Sequence, residues 1–342
     1  MTTIRYPWDQ PPENGEITEI AEGVMWLRLP LPMKLDHVNI YILDDGDGWT
    51  LIDTGIKTRK VMGMWKHLID NILSGKPIKR VIATHHHPDH IGLHGWFVEN
   101  YGAEYLSTQV AYLTARMLTL DTQEAYLDSQ IDFYRRAGMR SDLFEARKLE
   151  RPFNFSDIVH PIPIGFKKIS EGNKIEMGGR TWDIRVDHGH APDHATFWSC
   201  DDCLVLSGDQ IIPSISSNIG VYPTEPDSNP LKEWMASCDR LKEFSNDDNL
   251  ALPGHKLPFV GIPLRLKQLL ENHSGALDRL RVDLKTPKTA GEVMPAIFKR
   301  NIEDGEYSLG LVEALAHCNY LWHAGEVTRT LDNDGVYQWQ IK

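Results

Sequence analysis

The sequence has few cysteines, a deficit of basic residues and no long apolar run. Its 342 residues include only four cysteines, too few for a disulfide scaffold of this size. Cys200 and Cys203 lie between two strand-like runs, and we interpret them as flanking a two-residue hairpin turn. No stretch approaches the ~20 consecutive apolar residues that span a bilayer, and the first residues lack a signal-peptide pattern. We therefore expect a cytoplasmic protein without membrane contact.

The charge balance is acidic. The chain carries 36 Lys and Arg against 48 Asp and Glu, a formal net charge of −12. Binding to a phosphate backbone requires a dense cationic surface, so nucleic acid is an unexpected partner. A single hydrophobic core stops growing at roughly 250–300 residues, and we therefore expect two domains.

Strand-like and helix-like segments both occur along the chain, and the strand-like segments fall into two groups. Residues 18–30 and 38–44 read as strands, and residues 58–73 carry apolar side chains at helical spacing. Residues 109–156 read as a helical insert, a candidate lid, and residues 166–212 as a second strand-rich region.

The end of the chain has a different pattern. Residues 290–300 and 308–325 read as helices, and the last segment reads as a hairpin that turns at Asn333-Asp334-Gly335. Helices followed by a hairpin suggest a small winged-helix-like unit. We expect one domain over 15–260 and a second over 261–342.

A histidine-rich loop follows the strand-like residues 78–82. The segment reads Thr84-His85-His86-His87-Pro88-Asp89-His90. At the end of a strand, residues two apart project to the same side, so His85 and His87 can bind one metal ion. Asp89 and His90 can then face a second ion. One short loop is predicted to supply ligands to two adjacent metal sites.

Further candidate ligands follow other strand-like runs. They are His190 in GHAPDH, Asp209 in SGD and His255 in PGH. Each motif contains a glycine, as expected where the backbone turns sharply to present a side chain. A complete set of this kind favours a metal site over isolated structural histidines.

The ordered motifs LIDTG, THHHPDHIG, GHAPDH, SGD and LPGH resemble those of the metallo-β-lactamase superfamily. The resemblance implies a fold of the α/β class, an αββα sandwich with a dinuclear zinc site at the edge between its sheets. It assigns the first metal to His85, His87 and His190, the second to Asp89, His90 and His255, a bridging role to Asp209 and a supporting role to Asp53. The tail from about residue 273 is similar to the winged-helix extension of the β-lactamase-like protein 2 branch.

The ligand types indicate the metal. Nitrogen and carboxylate ligands without a thiolate suit zinc, expected here as two ions per chain, with iron or manganese as less frequent choices. The diiron flavoprotein branch of the superfamily has Glu where this chain has His87. That difference favours hydrolysis over redox chemistry.

Two adjacent metal ions supply a hydroxide nucleophile near neutral pH, so we predict a hydrolase that uses a metal-bridging hydroxide. The expected substrate is a small acyl compound cleaved at an ester, thioester or lactone bond, as by a thioesterase or lactonase. Asp89 is the candidate proton shuttle, Tyr222 a candidate oxyanion donor, and His194 is close enough to His190 in sequence to reach the substrate. A phosphodiesterase or RNA nuclease on the same metals and a mononuclear-iron sulfur oxygenase remain as alternatives.

The helical insert and the tail carry further indications about the substrate and the partners. The insert combines aromatic side chains with five arginines: Arg135, Arg136, Arg140, Arg147 and Arg151. These could hold an acyl chain and an anionic group, although an amphipathic helix with a solvated face has the same pattern. The helical segment 311–327 is poor in Lys and Arg, which favours packing or homodimer formation over nucleic-acid binding.

Overall fold

Two β-sheets pack face to face and carry helices on both outer faces. The computed structural model describes residues 3–73 and 75–342. Between the sheets, Trp26, Leu43 and Ile82 of the first meet Trp182 and Phe197 of the second, all fully buried. This is the αββα arrangement that the sequence predicts, with one apolar face of each sheet buried against the other.

The sheets contain most of the strands. The first sheet follows chain order: β1 (Ile17–Ala21), β2 (Val24–Pro30), β3 (His37–Asp44), β4 (Trp49–Ile52), β5 (Ile78–Ile82), β6 (Glu104–Ser107) and β7 (Lys167–Lys168). The second contains β8 (Lys174–Met177), β9 (Arg180–Asp187), β10 (His194–Ser199), β11 (Leu204–Gly208), β12 (Leu250–Pro253) and β13 (Phe259–Val260), in the order β13-β12-β11-β10-β9-β8.

The helices cover the sheets and form the end of the chain. They are α1 (Arg59–Asn71), α2 (Pro88–Ile91), α3 (His94–Tyr101), α4 (Gln109–Leu120), α5 (Asp128–Arg136), α6 (Ser141–Arg147), α7 (Phe155–Ile158), α8 (Pro230–Phe244), α9 (Ile262–Asp283), α10 (Ala290–Phe298) and α11 (Asp304–His323). Within the described ranges, no helix combines the length and apolarity needed to cross a bilayer.

Residues 18–30 form two strands rather than the single predicted strand. β1 and β2 pair antiparallel, and Gly23 between them has a φ of 69°. Glycine adopts this left-handed conformation without steric cost, so the chain reverses there. The loop 200–203 joins β10 to β11 and is longer than the predicted two-residue turn; Cys200 and Cys203 are exposed free thiols in it.

The helical insert contacts the C-terminal helices. The Arg140 backbone N–H donates to the Tyr307 hydroxyl at 2.9 Å, and Arg147 Nη2 donates to Ser308 Oγ at 2.6 Å. Arg140 Nη2 also lies 2.6 Å from Asp304 Oδ1. These contacts join α6, and Arg140 directly before it, to the first turns of α11.

The five insert arginines are paired with the protein's own side chains. The pairs are Arg135 and Arg136 with Asp132, Arg140 with Asp142 and Asp304, Arg147 with Tyr126 and Ser308, and Arg151 with Glu124 and Asp157. Their guanidinium groups are therefore engaged in holding the insert together. This arrangement does not support the expectation that they hold an anionic part of a substrate.

The C-terminal segment contains the predicted helices followed by a hairpin. β14 (Val327–Leu331) pairs antiparallel with β15 (Tyr337–Ile341), and Gly335 in the connecting turn has a φ of 72°. The predicted boundary at residue 260 falls between β13 and α9. Buried side chains on both sides of it, such as Val205, Trp234 and Leu266, nevertheless form one continuous cluster.

Two histidines, one on α9 and one on α11, are buried side by side. His273 Nδ1 lies 3.3 Å from His317 Nε2, and His273 Nε2 lies 3.1 Å from Ser216 Oγ. Burial lowers the pKa of His273 to about 3 and that of His317 to about 4. Below the ordinary histidine pKa, the unfolded chain therefore binds protons that the folded protein does not.

We expect this pair to make the fold sensitive to acid. Each buried histidine should decrease the free energy of unfolding by about 1.4 kcal/mol for every pH unit of acidification, between about pH 6.5 and its own folded-state pKa. His317→Leu should reduce that slope by about one histidine's share, measured by urea unfolding at several pH values between about 7.5 and 5. An unchanged slope would contradict this assignment.

Candidate metal centre

Seven side chains converge at one edge of the sandwich. Strands β4, β5 and β6 run parallel, as do β11 and β12, so the loops after their carboxyl ends meet at the same edge. The Ala195 N–H donates to the Thr84 carbonyl at 2.7 Å and joins the two sheets there. The side chains that converge are His85, His87, Asp89, His90, His190, Asp209 and His255.

Their nitrogen and oxygen atoms form overlapping groups. Within each group all candidate ligand atoms lie within 4.8 Å of one another: His85, His87 and His190; His85, His90 and Asp209; Asp89, His90 and His255. The first and last groups share no residue, and Asp209 lies between them. Asp209 Oδ2 is 3.5 Å from His190 Nε2 and 3.2 Å from His255 Nε2, while Asp209 Oδ1 is 3.5 Å from His90 Nε2.

The outer nitrogens of these histidines are engaged by the protein. His190 Nδ1 lies 2.8 Å from the Asn218 carbonyl and His255 Nδ1 lies 2.7 Å from the His37 carbonyl. Donation to these carbonyls leaves the Nε2 lone pairs directed into the centre. Second contacts of this kind orient the histidines of metal sites.

Several inward-facing atoms are buried and make no hydrogen bond to the protein. They are His90 Nε2, His190 Nε2 and Asp209 Oδ1. A buried polar atom without a hydrogen bond decreases the stability of the fold. A bound metal ion would give all three atoms a partner. The residues therefore fit a divalent cation, with nitrogen and carboxylate donors only.

Most of the chain matches known family models. Residues 33–255 match the model described as the metallo-beta-lactamase superfamily, and residues 277–342 match the metallo-beta-lactamase-like C-terminal domain. The first match alone covers more than half of the chain.

The chain belongs to the metallo-beta-lactamase superfamily. It is 26% identical over 322 residues to the probable metallo-hydrolase YqjP of Bacillus subtilis, covering 93% of this chain and 98% of that one. It is also similar to the crystal structure of a beta-lactamase domain protein from Burkholderia ambifaria, with 33% identity, a TM-score of 0.89 and coverage of 99% and 97%. The chain is an enzyme, a metallo-hydrolase.

A more distant relative has a named reaction. The atrochrysone carboxyl ACP thioesterase of Aspergillus fumigatus is 24% identical over 259 residues, which cover 75% of this chain and 46% of that protein. Superfamily members usually bind divalent metals, in agreement with the three candidate ligand groups.

Asp53 supports the histidine loop. Its φ is 62°, a left-handed conformation that Asp tolerates better than most residues. One carboxylate oxygen accepts from the Thr84 N–H at 2.9 Å; the other accepts from Thr84 Oγ1 at 2.8 Å and lies 2.7 Å from His90 Nδ1. The buried carboxylate thus fixes both the start of the loop and the orientation of His90.

Replacing Asp53 with alanine should weaken the binding of a divalent metal, with zinc as the probe, and lower activity about 10–100-fold, the usual cost of losing a contact that orients a metal ligand. Competition with a coloured chelator measures the affinity. Asp45→Ala is the matched control, because Asp45 also bonds buried backbone and side-chain groups but away from the centre. Equal zinc affinity in both variants would contradict the assigned role.

Charge is unevenly distributed over the candidate ligands. Burial, together with neighbouring histidines, lowers the pKa of His85 and His87 well below the ordinary value. Burial also acts to lower the pKa of His90 and His255, but nearby carboxylates, Asp209 foremost, outweigh it. They hold the pKa of His255 at about 9 and that of His90 well above its ordinary value. The carboxylates therefore attract positive charge to this side of the centre.

His194 lies beneath the centre rather than beside the substrate. It is fully buried, and its Nε2 accepts from the Asp209 N–H at 3.0 Å. Its ring stacks on that of His85 with centroids 4.7 Å apart. The structure thus gives His194 a contact with the Asp209 backbone. It does not place the side chain on the substrate side, where the sequence analysis expected it.

Tyr222 lies in the wall between the insert and the C-terminal helices. Its side chain is partly exposed, while burial of its hydroxyl, with Tyr134 and Glu313 nearby, raises the pKa of Tyr222 to about 12. The hydroxyl therefore keeps its proton at neutral pH. Its role as an oxyanion donor stays a prediction.

Three neighbouring histidines lie outside the ligand groups. His94 is buried and its Nδ1 lies 2.9 Å from Thr54 Oγ1. The His188 Nδ1 lies 2.5 Å from the Pro192 carbonyl, and His86 stacks on Phe155 with ring centroids 6.3 Å apart. All three side chains are therefore in contact with the surrounding protein.

The centre also depends on residues that the sequence did not single out. Asn218 and His37 act through their backbone carbonyls, which any residue type could supply. The hydrogen bond from His255 to His37 joins positions 218 residues apart in the chain. The only sequence signal for His37 is its position directly before the predicted strand 38–44, and in the structure it is the first residue of β3.

Proposed function

We propose that the protein is a dinuclear zinc hydrolase of carboxylic thioesters, esters or lactones. The observation that carries the proposal is the pair of separate ligand groups joined by Asp209. His85, His87 and His190 would hold one ion, and Asp89, His90 and His255 the other. Imidazole and carboxylate donors without a thiolate suit zinc.

Bound as a pair, zinc ions supply a nucleophilic water at neutral pH and polarise a carbonyl oxygen. The chain's own residues orient the ligands and move protons. Asp89 is the most open carboxylate of the centre, with 19% of its side chain exposed against 8% for Asp209. We assign to Asp89 the transfer of a proton to the leaving group.

An aromatic surface extends from the histidine loop to solvent. Phe155 of α7 stacks on His86, and Phe153 lies 6.0 Å from Phe155 between ring centroids. Phe153 is itself exposed. Exposed apolar side chains next to a catalytic centre mark a binding surface for an apolar group. This arrangement supports an apolar acyl substrate.

The charges near the insert oppose a polyanionic substrate. A nuclease requires a cationic track to its centre, whereas Arg135, Arg140 and Arg151 are paired with carboxylates of the chain. The net charge of −12 also disfavours a polyanionic substrate. The thioesterase among the relatives adds support for acyl cleavage, although the named reaction is that protein's own.

A substrate panel tests the proposal. The zinc-loaded protein should hydrolyse acyl thioesters, aryl esters or lactones at least tenfold faster than a phosphodiester or an alkyl sulfate, and should lose this activity on chelation. Within the thioester series, rates should rise with acyl length, because each buried methylene adds about 0.8 kcal/mol of binding. Preference for the phosphodiester would overturn the acyl assignment.

Asp89→Asn should reduce turnover about 10²–10⁴-fold, the range attributed to proton transfer by a positioned side chain. The exposed helix residue Asp70, changed to Asn, is the control. Zinc content of both proteins separates a lost ligand from a lost proton donor. Full turnover with both ions retained would show that Asp89 has no such role.

A further inference from the structure

The loop between β11 and α8 is held by the C-terminal helices. Arg265 of α9 donates from Nε to the Ile212 carbonyl at 2.6 Å and from Nη2 to the Ile215 carbonyl at 2.8 Å. His273, also on α9, contacts Ser216 Oγ at 3.1 Å. Three residues of this loop, Ile212, Ile215 and Ser216, are thus tied to α9 before Asn218 is reached.

Asn218 then connects α11 to the metal centre. Its Nδ2 donates to Glu313 Oε2 at 2.8 Å and to the Leu309 carbonyl at 3.2 Å. Its own carbonyl lies 2.8 Å from His190 Nδ1. The side chain of Asn218 is therefore fixed by two acceptors on α11, while its carbonyl sets the orientation of His190.

We propose that Glu313 is a positioning residue for the first metal site, acting on His190 through Asn218. The proposal rests on the proposed function, in which His190 binds metal. The C-terminal segment then completes the metal centre instead of merely extending the fold.

The environment of Glu313 supports a functional reason for a carboxyl group there. Burial raises the pKa of Glu313 to about 7, opposed only by the hydrogen bond from Asn218. No Lys or Arg of the described residues forms an ion pair with it within 4.0 Å. A buried acid without a cationic partner is a cost to stability, and an apolar side chain at this position would avoid that cost. Residues that decrease stability locally are expected at functional sites.

The geometry makes Asn218 sensitive to the loss of its acceptor. With Glu313 removed, Asn218 Nδ2 keeps only the longer bond to Leu309. The carbonyl of the same residue can then rotate away from His190, whose imidazole loses its orientation. Loss of such outer contacts lowers metal affinity by about 10–100-fold.

Cobalt titration of the metal-depleted protein tests the proposal. Cobalt bound to histidines absorbs visible light, so the spectrum reports the ligand geometry directly and needs no activity. Glu313→Leu should weaken the first cobalt-binding step about tenfold or more and change its absorption band. Glu313→Gln, whose amide oxygen can still accept from Asn218, should restore both.

Controls separate positioning from stability. Glu326→Leu breaks the ion pair with Arg281 in the same C-terminal segment, where Glu326 Oε2 lies 2.6 Å from Arg281 Nε, and should leave cobalt binding unchanged. His190→Ala tests the underlying assignment. If His190→Ala weakens binding but Glu313→Leu does not, or if Glu326→Leu weakens it equally, the positioning role is wrong. If His190→Ala itself has no effect, the metal assignment fails.

Discussion

Asp209→Ala is expected to lower kcat/KM by at least ~1000-fold, beyond the 10–100-fold cost of losing an outer contact. Asp209 is the carboxylate whose two oxygens face both candidate metal positions, Oδ1 towards His90 and Oδ2 towards His190 and His255. Its removal leaves neither position with a complete ligand set. Zinc content should fall to about one ion per chain or fewer.

The measurement is zinc by elemental analysis together with thioester hydrolysis. Asp239→Ala is the matched control, since Asp239 pairs with Lys242 on the exposed surface of α8. Both variants should unfold within a few degrees of the parent protein when metal-depleted. Retention of two zinc ions and near-parental hydrolysis by Asp209→Ala would disprove the bridging role.

Gly254→Ala should greatly reduce activity by adding a single methyl group. A Cβ on Gly254 would overlap Asp209 Oδ1 and lie 2.8 Å from His90 Cε1. The backbone cannot shift to make room, because the Gly254 N–H donates to the Gly208 carbonyl at 2.8 Å and its carbonyl accepts from Asn39 at 2.7 Å. The methyl group must therefore displace the bridging carboxylate. We expect a loss of at least ~100-fold, similar to or above that of a lost outer contact.

The same substitution at an open position provides the comparison. A Cβ on Gly165 would meet no atom within 4 Å, so Gly165→Ala should retain activity and zinc. Gly254→Ala should lose zinc while its stability falls by about 1–3 kcal/mol, the usual cost of overpacking. A fully active Gly254→Ala enzyme would show that Asp209 does not need its observed position.

The candidate metal ligands could be predicted because they follow strand ends and carry their chemistry in their own side chains. His85 and His87 stand two residues apart after β5, and Asp209 and His255 follow β11 and β12. Strand pairing brings these ends together, so the local pattern already implies a shared site. The αββα fold is what the resemblance of the same motifs to the superfamily implies.

The rest depends on contacts between distant parts of the chain. Asn218 contacts His190 through a backbone carbonyl, a group that every residue type carries. The insert arginines read as available cations, yet Arg140 and Arg147 find partners on α11 more than 160 residues away. His194 follows His190 closely in sequence, but as the first residue of β10 it points into the core. Residue type and spacing do not encode such tertiary pairing.

The most direct test of a dinuclear acyl hydrolase is the metal content of the purified protein, measured with thioester hydrolysis before and after chelation. The account predicts about two zinc ions per chain, hydrolysis that is lost on chelation, and recovery when zinc is returned. A single iron per chain with no hydrolysis of any acyl substrate would contradict it.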